Sequence, residues 1–435
     1  MKSKIRSSRR SFFKQSVFGL AGAGLALKTG WTRSVDEETT MPLKIKEYRT
    51  LGRTGYKVSD ISAGSIMDEG VLGTALDSGV NYIDTAEQYP GHHRVVAKVL
   101  KGRDRESVFI NSKLEIQEDK SKDGFLKRTY KCLEELETDY VDCMMIHMPE
   151  TIETLKTEGF HAAMEQLKSE GKVRFVGASH HGSFWFREPE QTMEKVLLAG
   201  IDDGRFDLFL LAYNFLKMDQ GERVLEMCAK KNVGTVLMKT TPVAIYYSIK
   251  ASVEKMEKEG KDVHPLYAEG LERYKEKYER AEAFIQKHDL QNPQEIKEAA
   301  VRFALDNGNT NSVNCLARTF DDLEHFLGLS GSRLSNKDRT MLAAYKEGCG
   351  ELYCRHACGV CEPQCPKKVP VNTIMRYNQY FVQGREKEAM ELYAKIPGAK
   401  AEACLDCSGL CEKACPFSVP VQGMLLVADS QLTLA

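Results

Sequence analysis

From Asp60 to Cys315 short apolar runs alternate with amphipathic segments, and that rhythm constrains the fold more than any other feature of this 435-residue chain. The runs at Asp60–Ala63, Tyr82–Asp84, Val108–Asn111, Asp142–Ile146, Phe175–Gly177, Leu208–Leu211, Gly234–Met238 and Ser312–Cys315 have the length and composition of buried strands. Between them, His93–Leu100, Phe125–Leu136, Ala162–Lys168 and Glu222–Lys230 carry apolar residues three and four apart, the helical period. Strands separated by helices pair in parallel, and eight such units close on themselves. The expected fold is therefore α/β, a (β/α)8 TIM barrel over residues 46–330. One stretch breaks the rhythm: Ile249–Gln286 is long and highly charged and reads as a helical insertion, after which a helix start at Asn292-Pro293 opens the eighth unit.

A chain of this length exceeds what one hydrophobic core normally organises, so a second, smaller domain is expected beyond the barrel, over residues 335–435. Sixty-one basic residues against 62 acidic ones leave a formal charge of −1, with no basic stripe interleaved with aromatics. Nucleic acid is not an expected partner.

Residues 1–34 read as an address. Lys2, Lys4, Arg6, Arg9 and Arg10 precede the apolar stretch Val17–Leu27, which is too short to span a bilayer as a mature helix. Within it, Ser8-Arg9-Arg10-Ser11-Phe12-Phe13-Lys14 resembles the twin-arginine export signal. That resemblance implies the twin-arginine export machinery as a partner and a location in the periplasm or at the outer face of the inner membrane. No clean Ala-x-Ala cleavage site follows, so the segment is either removed or kept as an anchor.

In a barrel of this kind the chemistry gathers at the C-terminal ends of the strands. There stand Asp84-Thr85-Ala86-Glu87-Gln88-Tyr89, Lys113, His147, Ser179-His180 and Tyr213-Asn214. Carbonyl reduction needs such groups, because hydride arriving at carbon leaves negative charge growing on oxygen. A phenol can supply the proton, and a neighbouring ammonium is expected to draw its pKa down from about 10. The runs Asp84–Tyr89, Asn111-Ser112-Lys113, Ile146-His147 and Gly171-Lys172-Val173-Arg174 resemble aldo-keto reductases, from roughly Lys46 to Leu329. The resemblance implies a tetrad in which Tyr89 is the acid, Lys113 supplies the charge, Asp84 holds Lys113, and His147 orients the carbonyl oxygen. It also implies NADP(H) or NAD(H), with Ser179 and His180 at the carboxamide, Lys239 near the pyrophosphate and Arg318 near the adenosine 2′-phosphate. Two departures stand out: His180 where many members have Asn, and Leu210 where a Gln often completes the contact. Trp185, Phe186, Tyr246 and Tyr247 are candidate pocket walls.

Nine of the 13 cysteines fall between Cys349 and Cys415, eight of them in two runs. One is Cys354-x3-Cys358-x2-Cys361-x3-Cys365-Pro366; the other is Cys404-x2-Cys407-x3-Cys411-x3-Cys415-Pro416. Each is followed by a Val-Pro pair, at Val369-Pro370 and Val419-Pro420, so the second run reads as an internal repeat of the first. The pattern resembles bacterial two-cluster ferredoxins and implies two 4Fe-4S clusters in a small, mainly helical ferredoxin-like domain. By that resemblance Cys354, Cys358, Cys361 and Cys415 hold one cluster, and Cys404, Cys407, Cys411 and Cys365 the other. Cys349 is a spare that could replace Cys354. Zinc and disulfides are the competing readings of such cysteines. The remaining four, Cys132, Cys143, Cys228 and Cys315, sit in apolar surroundings and read as inert buried thiols.

The expected function is an exported oxidoreductase that interconverts a carbonyl and an alcohol by nicotinamide hydride transfer, its clusters exchanging electrons with a redox partner protein. The alternative is an electron-transfer or binding subunit whose barrel has lost turnover.

Overall fold

The computed structural model describes residues 43–182, 191–216, 218–241, 293–349, 354, 358–382, 385–405, 407–417 and 419–433, with isolated positions between 254 and 287. The export signal, the four candidate pocket-wall aromatics, most of the charged insertion and the side chain of Cys349 lie outside the described residues. Residues 44–435 form one compact unit.

The chain opens with an antiparallel hairpin that the periodicity does not announce, β1 (Tyr48–Thr50) and β2 (Lys57–Ser59). Its Leu51 and Val58 close the floor of the barrel core. Gly52 sits there at φ +47, and a Cβ on it would meet the backbone N of Gly234 at 2.2 Å, so only glycine lets the hairpin come so close.

Eight parallel strands follow: β3 (Ile61–Ala63), β4 (Tyr82–Asp84), β5 (Phe109–Glu115), β6 (Val141–His147), β7 (Val173–His180), β8 (Leu208–Ala212), β9 (Gly234–Met238) and β10 (Ser312–Cys315). They close in sequence order, β10 pairing with both β9 and β3. All eight apolar runs read from the sequence are strands. Side chains alternate between the two faces of a strand, so Tyr82, Phe109, Cys143, Met145, Leu208, Leu210, Val236 and Met238 fill the interior. Tyr82 stacks on Phe109 at 5.3 Å, and Phe109 on Phe175 at 6.1 Å. The same alternation delivers Asp84, two residues beyond Tyr82 on β4, Lys113, four beyond Phe109 on β5, and His147, two beyond Met145 on β6, to the upper end.

The helices around the strands are α1 (Glu69–Asp77), α2 (His92–Leu100), α3 (Lys122–Leu136), α4 (Ile152–Leu155), α5 (Glu158–Ser169), α6 (Met193–Asp203), α7 (Asp219–Lys231), α8 (Pro293–Asp306) and α9 (Phe320–Leu329). Their starts follow local chemistry. The Asp68 carboxylate accepts from the amides of Gly70 and Val71, and Thr319 and Asp322 form a reciprocal capping box at α9.

The C-terminal part comprises α10 (Asn336–Cys349), α11 (Val371–Val382), α12 (Glu386–Ala394), α13 (Leu410–Ala414) and α14 (Val421–Leu432). Its core is continuous with the flank of the barrel. Ile374, Met375, Leu425 and Leu426 belong to one buried cluster with Phe215, Leu216, Ile296 and Ala299 of the barrel. Each such aliphatic side chain contributes about 1.5–3 kcal/mol on leaving water, so the two parts hold one another in place.

Candidate active site

The upper rim brings together the four residues of the expected tetrad. Lys113 and Asp84 form an ion pair at 2.7 Å with side chains 0% and 5% exposed. The ammonium also donates to the Thr85 carbonyl at 2.8 Å and lies 4.9 Å from the centre of the Tyr89 ring. Asp84 in turn accepts from Asn111 Nδ2 at 2.8 Å and Asn314 Nδ2 at 3.3 Å. Tyr89 and His147 meet edge to face, ring centres 6.1 Å apart. Tyr89 is carried on a tight turn between β4 and α2: its amide donates to Ala86 O, and its carbonyl accepts from the amide of His92.

The phenol does not behave as the ammonium alone would make it. Burial, and then the Asp84 carboxylate, hold Tyr89 well above the ordinary 10, while Arg385 works in the opposite direction. Lys113 is itself lowered by burial, and its charge is matched by Asp84. The consequence is a Tyr89 that keeps its proton at neutral pH, as a donor must. His147 is held well below 6.5 by burial and by the cations Lys113 and Arg376, so its imidazole is neutral.

Of the residues expected at the nicotinamide, Ser179 is fully buried on β7 in register with His147, and its hydroxyl has no partner among the described residues. His180 is 2% exposed and accepts from the Gly182 amide through Nδ1. It is His181, two residues after Ser179 and so on the same face, that lines the cleft, its Nε2 lying 3.4 Å from His147 Nε2. Sequence reading passed over His181, yet the period of two counted from Ser179 identifies it. Leu210 belongs to the barrel core.

The cleft itself has a volume of about 400 Å³, the size of a ligand site. It extends from Asp84 and Tyr89 past Lys239, Thr240 and Thr241 to Arg318. Lys239, just past β9, has a left-handed backbone at φ +57, and so does Met148, just past His147, at +55. For residues other than glycine that conformation costs roughly 1 kcal/mol or more and gathers at functional sites. Arg318 is exposed at the end of the cleft, and its backbone amide donates to Asp322.

Sequence reading also did not foresee the roof. Gln379 and Tyr380 of α11, with Arg385 just before α12, line the same cleft. Tyr380 lies between two cations, Arg385 at 4.2 Å and Lys239 at 5.1 Å from its ring centre.

The cysteines gather in two groups. Cys354, Cys358, Cys361 and Cys415 line one small cavity together with Asn372, whose Nδ2 lies 3.8 Å from Cys354 Sγ. Cys404, Cys407, Cys411 and Cys365 neighbour one another in a second group. The hydrogen bonds repeat with an offset of fifty residues. Val369 N donates to Cys365 Sγ at 3.3 Å, as Val419 N does to Cys415 Sγ at 3.4 Å. Asn372 N donates to Glu362 Oε1 at 2.7 Å, as Gln422 N does to Glu412 Oε1 at 2.7 Å. Among the described residues, no three His, Cys, Asp or Glu side chains converge tightly enough to hold a single metal ion. Cys132, Cys143, Cys228 and Cys315 are buried thiols, each raised by burial, as inert core cysteines are.

Comparison with known proteins gives matches over the barrel. Methylglyoxal reductase DkgB of Escherichia coli O157:H7 is 36% identical over 108 residues, 25% of this chain and 40% of that protein. The glyoxal reductase of Bacillus subtilis is 33% identical over 127 residues, 29% of this chain and 44% of that protein. The chain thus spans less than half the length of these curated relatives. The probable aldo-keto reductase 1 of Glycine max is 23% identical over 314 residues, 66% of this chain and 85% of its own. Among solved structures, aldo-keto reductase AKR11C1 from Bacillus halodurans is similar with a TM-score of 0.48 at 19% identity, over 68% of this chain and 95% of that one. The aldo/keto reductase family profile matches residues 60–347, from just before β3 into the last turn of α10, and with that span the chain belongs to the aldo/keto reductase family.

Proposed function

We propose that the protein is an oxidoreductase that interconverts a carbonyl and an alcohol, with Tyr89 moving the proton. The observation that carries this reading is the meeting of Asp84, Lys113, Tyr89 and His147 at one cleft. A nicotinamide nucleotide, NADP(H) or NAD(H), fits the groups there: Lys239 and Arg318 line the cleft, and the buried Ser179 hydroxyl, in register with His147, has no partner among the described residues. When bound, it supplies the hydride. The chain's own residues do the rest. His147, neutral, donates a hydrogen bond to the carbonyl oxygen and fixes its direction. Tyr89 gives its proton to that oxygen as charge develops, and Lys113 steadies the resulting phenolate. Asp84 holds Lys113 in place, and the roof of α11 excludes water.

The cysteine groups fit two 4Fe-4S clusters. A single zinc ion would draw its four thiolates to roughly 3.8 Å of one another, from Zn–S bonds of about 2.3 Å. A cluster instead occupies a space between more widely set sulfurs, and the lining of one cavity by Cys354, Cys358, Cys361 and Cys415 supports that reading. The amide bonds to Cys365 and Cys415 sulfur suit it too, since such bonds tune cluster potentials. When bound, the clusters supply single-electron transfer to a redox partner protein. Asn372 lies at the first cavity and Gln379 at the cleft, both on α11. Seven residues of helix separate them by about 10 Å, a short path for an electron.

The export reading extends the proposal: a twin-arginine signal in residues 1–34 would carry the folded, cofactor-loaded protein to the periplasm or the outer face of the inner membrane. Among the described residues no helix is long and apolar enough to cross a membrane.

Anaerobic purification tests the whole. Brown protein with iron and acid-labile sulfide, a bound or bindable nicotinamide nucleotide, and carbonyl reduction lowered about 10²–10⁴-fold in Tyr89→Phe are the expected results. Zinc in place of iron would overturn the cluster half. Full turnover in Tyr89→Phe would overturn the catalytic half. The second reading, a barrel without turnover, draws on the covering of Tyr89 by α11, and it predicts no nucleotide binding in a fluorescence titration.

A further inference from the structure

The rim holds a second imidazole beside the first. His181 lines the cleft together with Tyr89, and its Nε2 lies 3.4 Å from Nε2 of the buried His147, the ring centres 5.5 Å apart. The backbone around both rings is tied down. Met148, left-handed at φ +55, donates its amide to the Ser179 carbonyl at 2.8 Å and so joins the ends of β6 and β7. Gly182, at φ +78, donates its amide to His180 Nδ1 at 3.0 Å, which fixes the turn at His181.

Burial and nearby cations keep both imidazoles neutral, so each carries one proton. Where those protons sit follows from the partners. Nδ1 of His147 and Nδ1 of His181 are both buried, and neither has a partner among the described residues. If one Nε2–H donated to the other Nε2, the accepting ring would carry its proton on Nδ1, a buried N–H with nothing to bond. Orphaned N–H groups are costly, and rarer in protein interiors than unfilled acceptors. With both protons on Nε2 no donor is stranded, provided that an acceptor stands between the rings. An oxygen can lie about 2.9 Å from both Nε2 atoms at once. Tyr89, edge to face with His147, borders the same space.

We propose that His181 is a second hydrogen-bond donor to the substrate carbonyl, its Nε2–H and that of His147 converging on one oxygen. The inference rests on the carbonyl-reduction reading and adds a catalytic residue to it. As hydride reaches the carbon, the carbonyl π pair moves to oxygen, and two fixed donors stabilise the charge there until the Tyr89 proton closes the O–H bond.

The test uses the full-length, cofactor-loaded protein and para-dimethylaminobenzaldehyde, whose absorption moves to longer wavelength when donors bind its carbonyl oxygen. Held with oxidised nucleotide, the aldehyde cannot be reduced, so the shift reads the donors without turnover. Wild type is expected to give a larger red shift than His181→Phe, which keeps a flat ring and lacks a donor. In turnover with reduced nucleotide, His181→Phe is expected to lower kcat on the order of 10²-fold, with KM within about threefold. His181→Gln, which keeps a donor near the Nε2 position, is expected to regain about tenfold of that loss. Equal shifts in wild type and His181→Phe overturn the second donor, and so does a loss that falls on KM alone. A shift present in wild type and lost in His181→Phe, with no reduction of the aldehyde, would sink the carbonyl-reduction reading and leave the donor pair standing. Reduction by wild type with equal shifts does the reverse.

Discussion

Replacing Lys113 by Met tests whether the rim is held by its buried ion pair. The Lys113 side chain is wholly inaccessible and Asp84 nearly so, their charges 2.7 Å apart. Removing one partner leaves the other as an uncompensated buried charge, at a cost of about 3–5 kcal/mol. Asn111 and Asn314 still donate to Asp84, which places the expected loss toward the lower end, about 3 kcal/mol. Unfolding entropy near 60 °C is roughly 2.1 cal/mol/K per residue, so a body the size of residues 44–435 has about 0.8 kcal/mol/K. The melting temperature of Lys113→Met should therefore fall by about 4 °C. Adding Asp84→Asn removes the stranded charge, so the double variant should melt above Lys113→Met by 2 °C or more. Differential scanning calorimetry at pH 7 reads both shifts. If the double variant is no more stable than Lys113→Met, the pair does not hold the rim and the argument fails.

Other consequences of the structure can be measured directly. His92, whose Nδ1 lies 2.8 Å from Thr85 Oγ1, is pushed down to about 3 by burial and by its neighbours His93 and Lys113. The folded chain then binds fewer protons at this site than the unfolded one, so stability present above pH 6.5 is lost as the pH falls toward 3, by about 1.4 kcal/mol per unit. His92→Gln should flatten the acid limb of a urea-denaturation profile between pH 6.5 and 5, and an unchanged slope would count against it. The Tyr82 hydroxyl is buried in the barrel with no partner among the described residues. Tyr82→Phe should be neutral or stabilising, by up to about 1 kcal/mol, and a clear loss in the same assay would reveal a bond not seen here. Gly52→Ala should destabilise by about 2 kcal/mol or more, since the new Cβ meets backbone at 2.2 Å and φ is +47. A soluble variant with wild-type melting would show that the hairpin can shift.

The barrel was legible because its signal is local and repeated. Eight apolar runs with helical segments between them leave few other closures, and each run is a strand. The hairpin under the barrel was not legible, because Tyr-Arg-Thr and Lys-Val-Ser are mostly polar and half-exposed and make no apolar run of the kind that marks the barrel strands. The rim residues could be read from their places at strand ends, and His181 could have been found from the alternation that begins at Ser179. The effect of Lys113 on Tyr89 could not be read that way. It depends on how deeply the phenol is buried, and burial is set by helices elsewhere in the chain.

Local pattern in the sequence thus determined the eight strands, the rim residues they carry and the repeated cysteine runs, because periodicity and motif spacing act over a few residues. Tertiary structure alone decided that α11 roofs the barrel mouth and that Tyr380 meets Lys239. Those contacts join segments tens to more than a hundred residues apart, and it is the burial of a shared apolar core, from Phe215 to Leu426, that brings them together.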